Sequence, residues 1–100
     1  MLAIMRSTFA DWILRLRGIS GAAWDGQIRD AEARRDAELV EEAQRDRDDC
    51  LDQYDSALLA LDRDDLGAAR AALNEAAIRE HHHGLEPLAV QVLNRFPLAS

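Results

Sequence analysis

Residues 38–61 read ELVEEAQRDRDDCLDQYDSALLAL, and their pattern decides the fold. Val40, Ala43, Arg47, Cys50, Tyr54, Ala57 and Leu61 recur at alternating spacings of three and four. That is a heptad seam, weakened in its middle by Ala43 and Arg47 and strengthened toward Leu58, Leu59 and Leu61. The end of this helix is therefore expected to be buried and its centre exposed. Ala, Glu, Arg and Leu dominate the surrounding sequence and favour helix. From Trp24 to Leu61 there is no Pro, and the last Gly is Gly26, so one long helix is predicted over that span. Asp30 precedes Arg34 by four, as Glu41 precedes Arg45; each such local pair would contribute ~0.2–0.5 kcal/mol.

Downstream, Asp62-Arg63-Asp64-Asp65 breaks the pattern, with Asp64 as N-cap and Asp65 complementing the positive helix start. Leu66, Ala69, Leu73, Ala76 and Ala77 form the next apolar stripe. Ala68, Ala71 and Ala72 widen its small-residue surface, which predicts close packing on the preceding helix. This helix should end at His81-His82-His83, with Gly84 in the C′ position and Leu85 supplying the apolar contact beyond it. Pro87 suits the first turn of a last helix carrying Leu88, Val92, Leu93 and Phe96, closed by Pro97. Upstream, Leu2, Met5, Phe9, Trp12, Ile13 and Leu16 follow amphipathic helical spacing. Gly18 reads as its stop and Ile19-Ser20-Gly21 as a short turn. The expected fold is all-α: a single domain, 1–100, of about four helices. One long central helix packs antiparallel on the Ala-rich helix that follows it.

The chain of 100 residues is 48% apolar, but 18 of those residues are Ala, so the core must be thin. No run approaches 18 uninterrupted apolar residues, which argues against a membrane span. Arg6, Asp11 and Arg15 interrupt the first apolar segment at helical spacing, unlike a signal peptide. Its Phe9 and Trp12 beside Arg6, Arg15 and Arg17 resemble a membrane-surface helix, but a chain with so few aromatics needs them in its core. A core shared across a homodimer would compensate for the thin bulky content. The single Cys50 excludes an internal disulfide and a Cys-based zinc site, and it suits a reducing cytoplasm.

The net charge of −7 is uneven: residues 30–65 hold 14 acids against five Arg, whereas residues 1–29 are slightly basic. Without a basic footprint, direct nucleic-acid binding is disfavoured, and a protein partner with a basic surface fits better. Two short resemblances attach to the helices. Trp24-Asp25-Gly26 is similar to the Trp-x-Gly turn of the small secreted helical-hairpin proteins. Their turn lies near mid-chain and this one a quarter of the way in, which sets the chain apart from that family. Ala57, Ala60, Leu66, Ala69, Leu73 and Ala76 resemble one tetratricopeptide hairpin. No second copy follows, and an antiparallel helix pair accounts for the same residues.

Glu80 and His83 have the Glu-x-x-His spacing that di-iron bundle proteins use, and Glu38, Glu41 or Glu42 could face them. With one such motif a dinuclear site would need two chains, and a His at a helix end also simply complements the helix dipole. No metal or cofactor is assigned on this basis. Ser7, Ser20, Ser56 and Ser100 lie in no nucleophile elbow. Asp46, Asp48, Asp49 and Asp52 would disfavour a Cys50 thiolate, so Cys50 reads as a small seam residue. Asp46-x-Asp48-Asp49 lacks the Gly and terminal Glu of a calcium loop. No enzyme is expected.

The acidic stripes carry the functional expectation. Glu38, Glu42, Asp46 and Asp49 form one line along the long helix, and Glu41, Asp48, Asp52 and Asp55 form an adjacent one. Apart from the wider step from Glu41 to Asp48, successive members stand about 4.5–6 Å apart at 1.5 Å rise per residue, near the spacing of strand phosphates. The expected function is a non-enzymatic, cytoplasmic interaction module that presents this acidic helix to a basic protein surface. A small phage-type inhibitor or nucleic-acid mimic is its sharper form. The alternatives are a metal-binding oligomeric bundle built on the Glu-x-x-His pair, or a structural or assembly helical dimer.

Overall fold

A stripe from Phe9 through Ile13, Leu16, Ser20, Trp24 and Ile28 to Ala31, apolar except at Ser20, is buried without a break in its helical spacing. The first helix therefore does not stop at Gly18. The computed structural model describes the backbone of residues 3–95 and the side chains of residues 6–95. Its helices are α1 (Ala3–Ala33), α2 (Ala37–Asp62), α3 (Leu66–His82) and α4 (Ala89–Leu93). No strand occurs among the described residues, and the fold is the small all-α bundle expected. The expectations for Leu2, the Met5 side chain, Phe96 and Pro97 lie outside the described residues.

Two boundaries differ from the expectation. Gly18, Ile19, Ser20 and Gly21 continue α1, and the predicted helix Trp24–Leu61 is divided at residues 34–36. Neither Gly18 nor Gly21 has a positive φ, so neither acts as a cap. Gly21 instead lies under Leu51 of α2, whose methyl carbons would stand 3.9 Å from a Cβ there. The break is made by Arg35, which takes the left-handed conformation at φ 57°. Asp36 N–H donates to Ala31 O and Arg35 N–H to Glu32 O, which is the Schellman pair of hydrogen bonds. The carboxylate of Asp36 then accepts from Leu39 N–H at 3.1 Å and caps α2.

The α2–α3 joint repeats this construction. Asp64 is left-handed at φ 56°, Asp65 N–H donates to Ala60 O, and Asp64 N–H donates to Leu61 O. The cap of α3 is Asp65, accepting from Ala68 N–H at 3.0 Å, one residue later than expected. Gly84 closes α3 at φ 72° in the C′ position, as the sequence indicates. Pro87 precedes α4 rather than opening it.

Short joints force antiparallel neighbours, and ion pairs record the register of α1 on α2. Arg6 meets Asp64 at 3.0 Å, Arg17 meets Asp55 at 2.8 Å, and Arg47 meets Asp25 at 3.1 Å. Neither of the two expected local pairs, Asp30–Arg34 and Glu41–Arg45, is among the ion pairs of the described residues; the i,i+4 pair found there is Glu75–Arg79, which was not expected. Arginines reach across to the next helix instead. Both α1 and α3 pack on α2, and α4 lies across α3 and α1. The seam residues Ala43, Cys50, Tyr54, Ala57 and Leu61 are buried, while Val40 and Arg47 are half-buried. Ala69, Ala72, Leu73, Ala76 and Ala77 of α3 face them. The molecule is a rod of 49 × 19 × 19 Å.

Gly18→Ala should raise stability by about 1 kcal/mol, because the added methyl meets nothing within 4 Å and the position is mid-helix. Urea denaturation reads this directly; a loss of stability would mean that Gly18 ends a helix. Asp36→Ala and Asp65→Ala should each cost about 1 kcal/mol by removing a cap.

Candidate functional site

Three helices converge on one buried carboxylate. Glu80 of α3 is 1% exposed. Its Oε2 accepts from Ser20 of α1 at 2.6 Å and from Tyr54 of α2 at 2.7 Å. Its Oε1 takes a longer bond from Ala89 N–H of α4, at 3.4 Å. No guanidinium or imidazole of the described residues forms an ion pair with it, so hydroxyl and amide donors satisfy it alone. Cys50 packs beside this centre and donates from Sγ to Ala76 O at 3.6 Å. The Trp24 indole is fully buried nearby, and its N–H makes no hydrogen bond of good geometry.

Burial, and then the Glu80 charge, push the Cys50 thiol up to about 11. The direction is the one expected, but the cause is not the aspartates beside it in sequence. Burial and Glu80 likewise push the Tyr54 phenol well above its ordinary range. Neither group is prepared for nucleophilic or acid–base work near neutral pH.

One turn further along α3, a second polar layer opens to solvent. Gln27 of α1 donates from Nε2 to the carbonyl oxygen of His83 at 2.7 Å. That bond orients the amide so that its Oε1 faces His83 Nδ1 at 2.9 Å. His83 Nε2 lies 2.5 Å from Asp46 Oδ2 of α2. Trp24 and the His83 ring pack edge to face, with centroids 4.7 Å apart. Beside this layer, His82 Nε2 stands 4.0 Å from Glu42 Oε1. Gln27, Asp30, Arg34, Leu39, Glu42 and His82 line a cleft of about 590 Å³ at this end of the rod.

The sequence-predicted partner-binding residues divide into two sets. Asp55 is held by Arg17 through two bonds, of 2.8 and 3.2 Å. Asp48 is exposed and bonded to Arg47 at 3.1 Å, and Asp48 with Asp25 holds that guanidinium more firmly protonated. Asp46 and Glu42 are half-buried and turn to His83 and His82. Glu38, Glu41, Asp49 and Asp52 are exposed and appear in none of the ion pairs of the described residues. At about 100° per residue these four fall within roughly 80° of arc, opposite the buried seam, with Arg45 among them. Glu80 and His83 do not converge: one is sealed in the core and the other faces the cleft. Ser20, Tyr54, Gln27 and Trp24 were not singled out as site residues. Their partners lie far off in sequence, and no local spacing signals them.

Trp24-Asp25-Gly26 lies within α1 and forms no turn. No protein family, curated protein or solved structure matches this chain in comparison. No helix of the described residues is long and apolar enough to cross a membrane.

Tyr54→Phe should cost about 1–3 kcal/mol, since it removes a donor from a buried acceptor. Alkali should also weaken the fold. A thiol raised in the folded state from 9.0 to about 11 contributes its full stability below pH 9 and loses it as pH rises through 11. The loss from Cys50 is at most about 3 kcal/mol. Denaturation midpoints measured from pH 8 to 11 should fall, and Cys50→Ala should remove the part that begins near pH 9.

Proposed function

We propose that the protein is a non-enzymatic interaction module that presents the outer face of α2 to a basic surface on a protein partner. One observation supports this reading above others. Acids on the flanks of α2 are matched by Arg17, Arg47 and His83 of the same chain, whereas Glu38, Glu41, Asp49 and Asp52 stand exposed with no such match among the described residues. Like charges on one face weaken a helix slightly, so an unmatched row works against stability while favouring capture of a basic groove. The face runs about 21 Å from residue 38 to residue 52 at 1.5 Å per residue. A groove lined with Arg and Lys that ordinarily holds a nucleic-acid backbone has complementary charge and length. Inhibition by occupying such a groove is the finer form of the proposal.

The test is affinity capture from the native host with the tag-free chain coupled to a support. The quadruple variant E38Q/E41Q/D49N/D52N serves as the comparison. Expected is a basic partner held by the natural chain, released by raised salt, and at least tenfold depleted with the variant at unchanged helicity. Equal retention by both chains would overturn the proposal.

A further inference from the structure

Three successive histidines on a helix point about 100° apart, so they cannot all converge on one centre. The fold selects two of them. His81 lines a shallow groove with Asn74, Ile78 and Pro87, which His82 also borders, and is not part of the cluster on α2. His82 and His83 turn toward α2, where ligand atoms of Glu42, His82 and His83 lie within 4.8 Å of one another. Two imidazoles and a carboxylate are a common donor set for transition metals, with an open position left for water or a ligand.

His83 is held as a metal-binding histidine is held. Its side chain is 4% exposed. Because the Gln27 amide nitrogen is committed to the His83 carbonyl, the amide oxygen can only accept, and it takes the Nδ1 proton. A second residue that receives one ring N–H fixes the tautomer and leaves the other nitrogen for the ion. That other nitrogen, Nε2, is directed at an acid, Asp46, at 2.5 Å. The fold thus already brings a carboxylate oxygen of α2 up to the ring nitrogen of His83 that Gln27 leaves free. His82 and Glu42 are the adjustable members, with side chains 70% and 43% exposed. Their separation of 4.0 Å exceeds the spacing of roughly 3.3 Å that tetrahedral ligands adopt around zinc, so modest side-chain rotation closes the site.

We propose that Glu42, His82 and His83 form a binding site for a divalent transition-metal ion of the zinc class, with Gln27 positioning His83 and Asp46 as a further oxygen donor. The ion joins the end of α3 to the first third of α2. The site opens on the cleft that Arg34 and Leu39 also line. The site is distinct from the outer acidic face of α2, and neither depends on the other.

The test uses tag-free, chelator-treated protein titrated with Zn²⁺ by calorimetry and with Co²⁺ by visible absorption. One ion per chain is expected, with the absorption bands of a low-coordinate cobalt site. Glu42→Gln and His82→Ala should each weaken binding at least tenfold, and Gln27→Ala by about 10–100-fold. His81→Ala should leave binding within twofold. Glu42 and His82 reach solvent, so their variants should stay folded, which circular dichroism checks. Undiminished binding in Glu42→Gln would overturn the proposal, because a histidine tract acting alone has no need of α2. Equal losses in His81→Ala and His82→Ala would overturn it too, as would failure to bind Zn²⁺ at millimolar concentration.

Discussion

A carboxylate buried in an apolar bundle must have its oxygens satisfied, and that requirement on Glu80 sets the register of the other helices. Ser20 and Tyr54 approach one oxygen and Ala89 the other, so α1, α2 and α4 all align to a single residue of α3. An unmet buried polar group costs on the order of 1–3 kcal/mol, more if charged. A slip of one residue in any helix would leave at least one such group unmet. Apolar packing alone would discriminate poorly here. The facing surfaces of α2 and α3 are largely alanine, and Ala43, Ala57, Ala69 and Ala76 offer little shape to interlock. The small side chains let the backbones come close, and the hydroxyl–carboxylate layer supplies the specificity that bulk does not.

That division explains what the residues reveal in isolation. The seam of α2, the stripe of α3 and the Gly84 stop follow from spacing and capping chemistry, which are local. The ends of α1 do not. Gly18 and Gly21 have the composition of a helix stop but lie in helical conformation. Arg35 has the composition of a helix interior but adopts the left-handed backbone that favours Gly. Each inverts a preference worth only about 1 kcal/mol, which tertiary packing of Trp24 and Ile28 readily outweighs. The polar centres were hidden for another reason. Ser20 and Glu80 are 60 positions apart, and Gln27 and His83 are 56 apart. The acidic stripes were half legible: periodicity gives their lines along the helix, but not which acids the arginines of α1 would claim.

Helix α2 thus has three different faces. One carries the alanine and tyrosine seam against α1 and α3. A second directs Glu42 and Asp46 to the histidines at the end of α3. The third stands in water, its carboxylates unmatched by any ion pair among the described residues. A single helix of 26 residues separates these environments because 3.6 residues per turn send neighbouring positions to different surroundings. The run Asp46-Arg47-Asp48-Asp49 shows it. Asp46 meets an imidazole, Arg47 bridges Asp25 and Asp48, and Asp49 reaches solvent.

The two matched joints at Arg35 and Asp64 also bear on how the chain finds its shape. Each reverses direction within three residues, using the same pair of backbone bonds and an aspartate that begins the next helix. Little entropy is then spent on loop closure, and most contacts join segments adjacent along the chain. Such topologies assemble rapidly, by zippering outward from each hairpin bend. The bridge from Ser20 to Glu80 spans both hairpins, which have α2 in common, and closes only when α1 and α3 are both in place on it, which makes it the latch of the bundle.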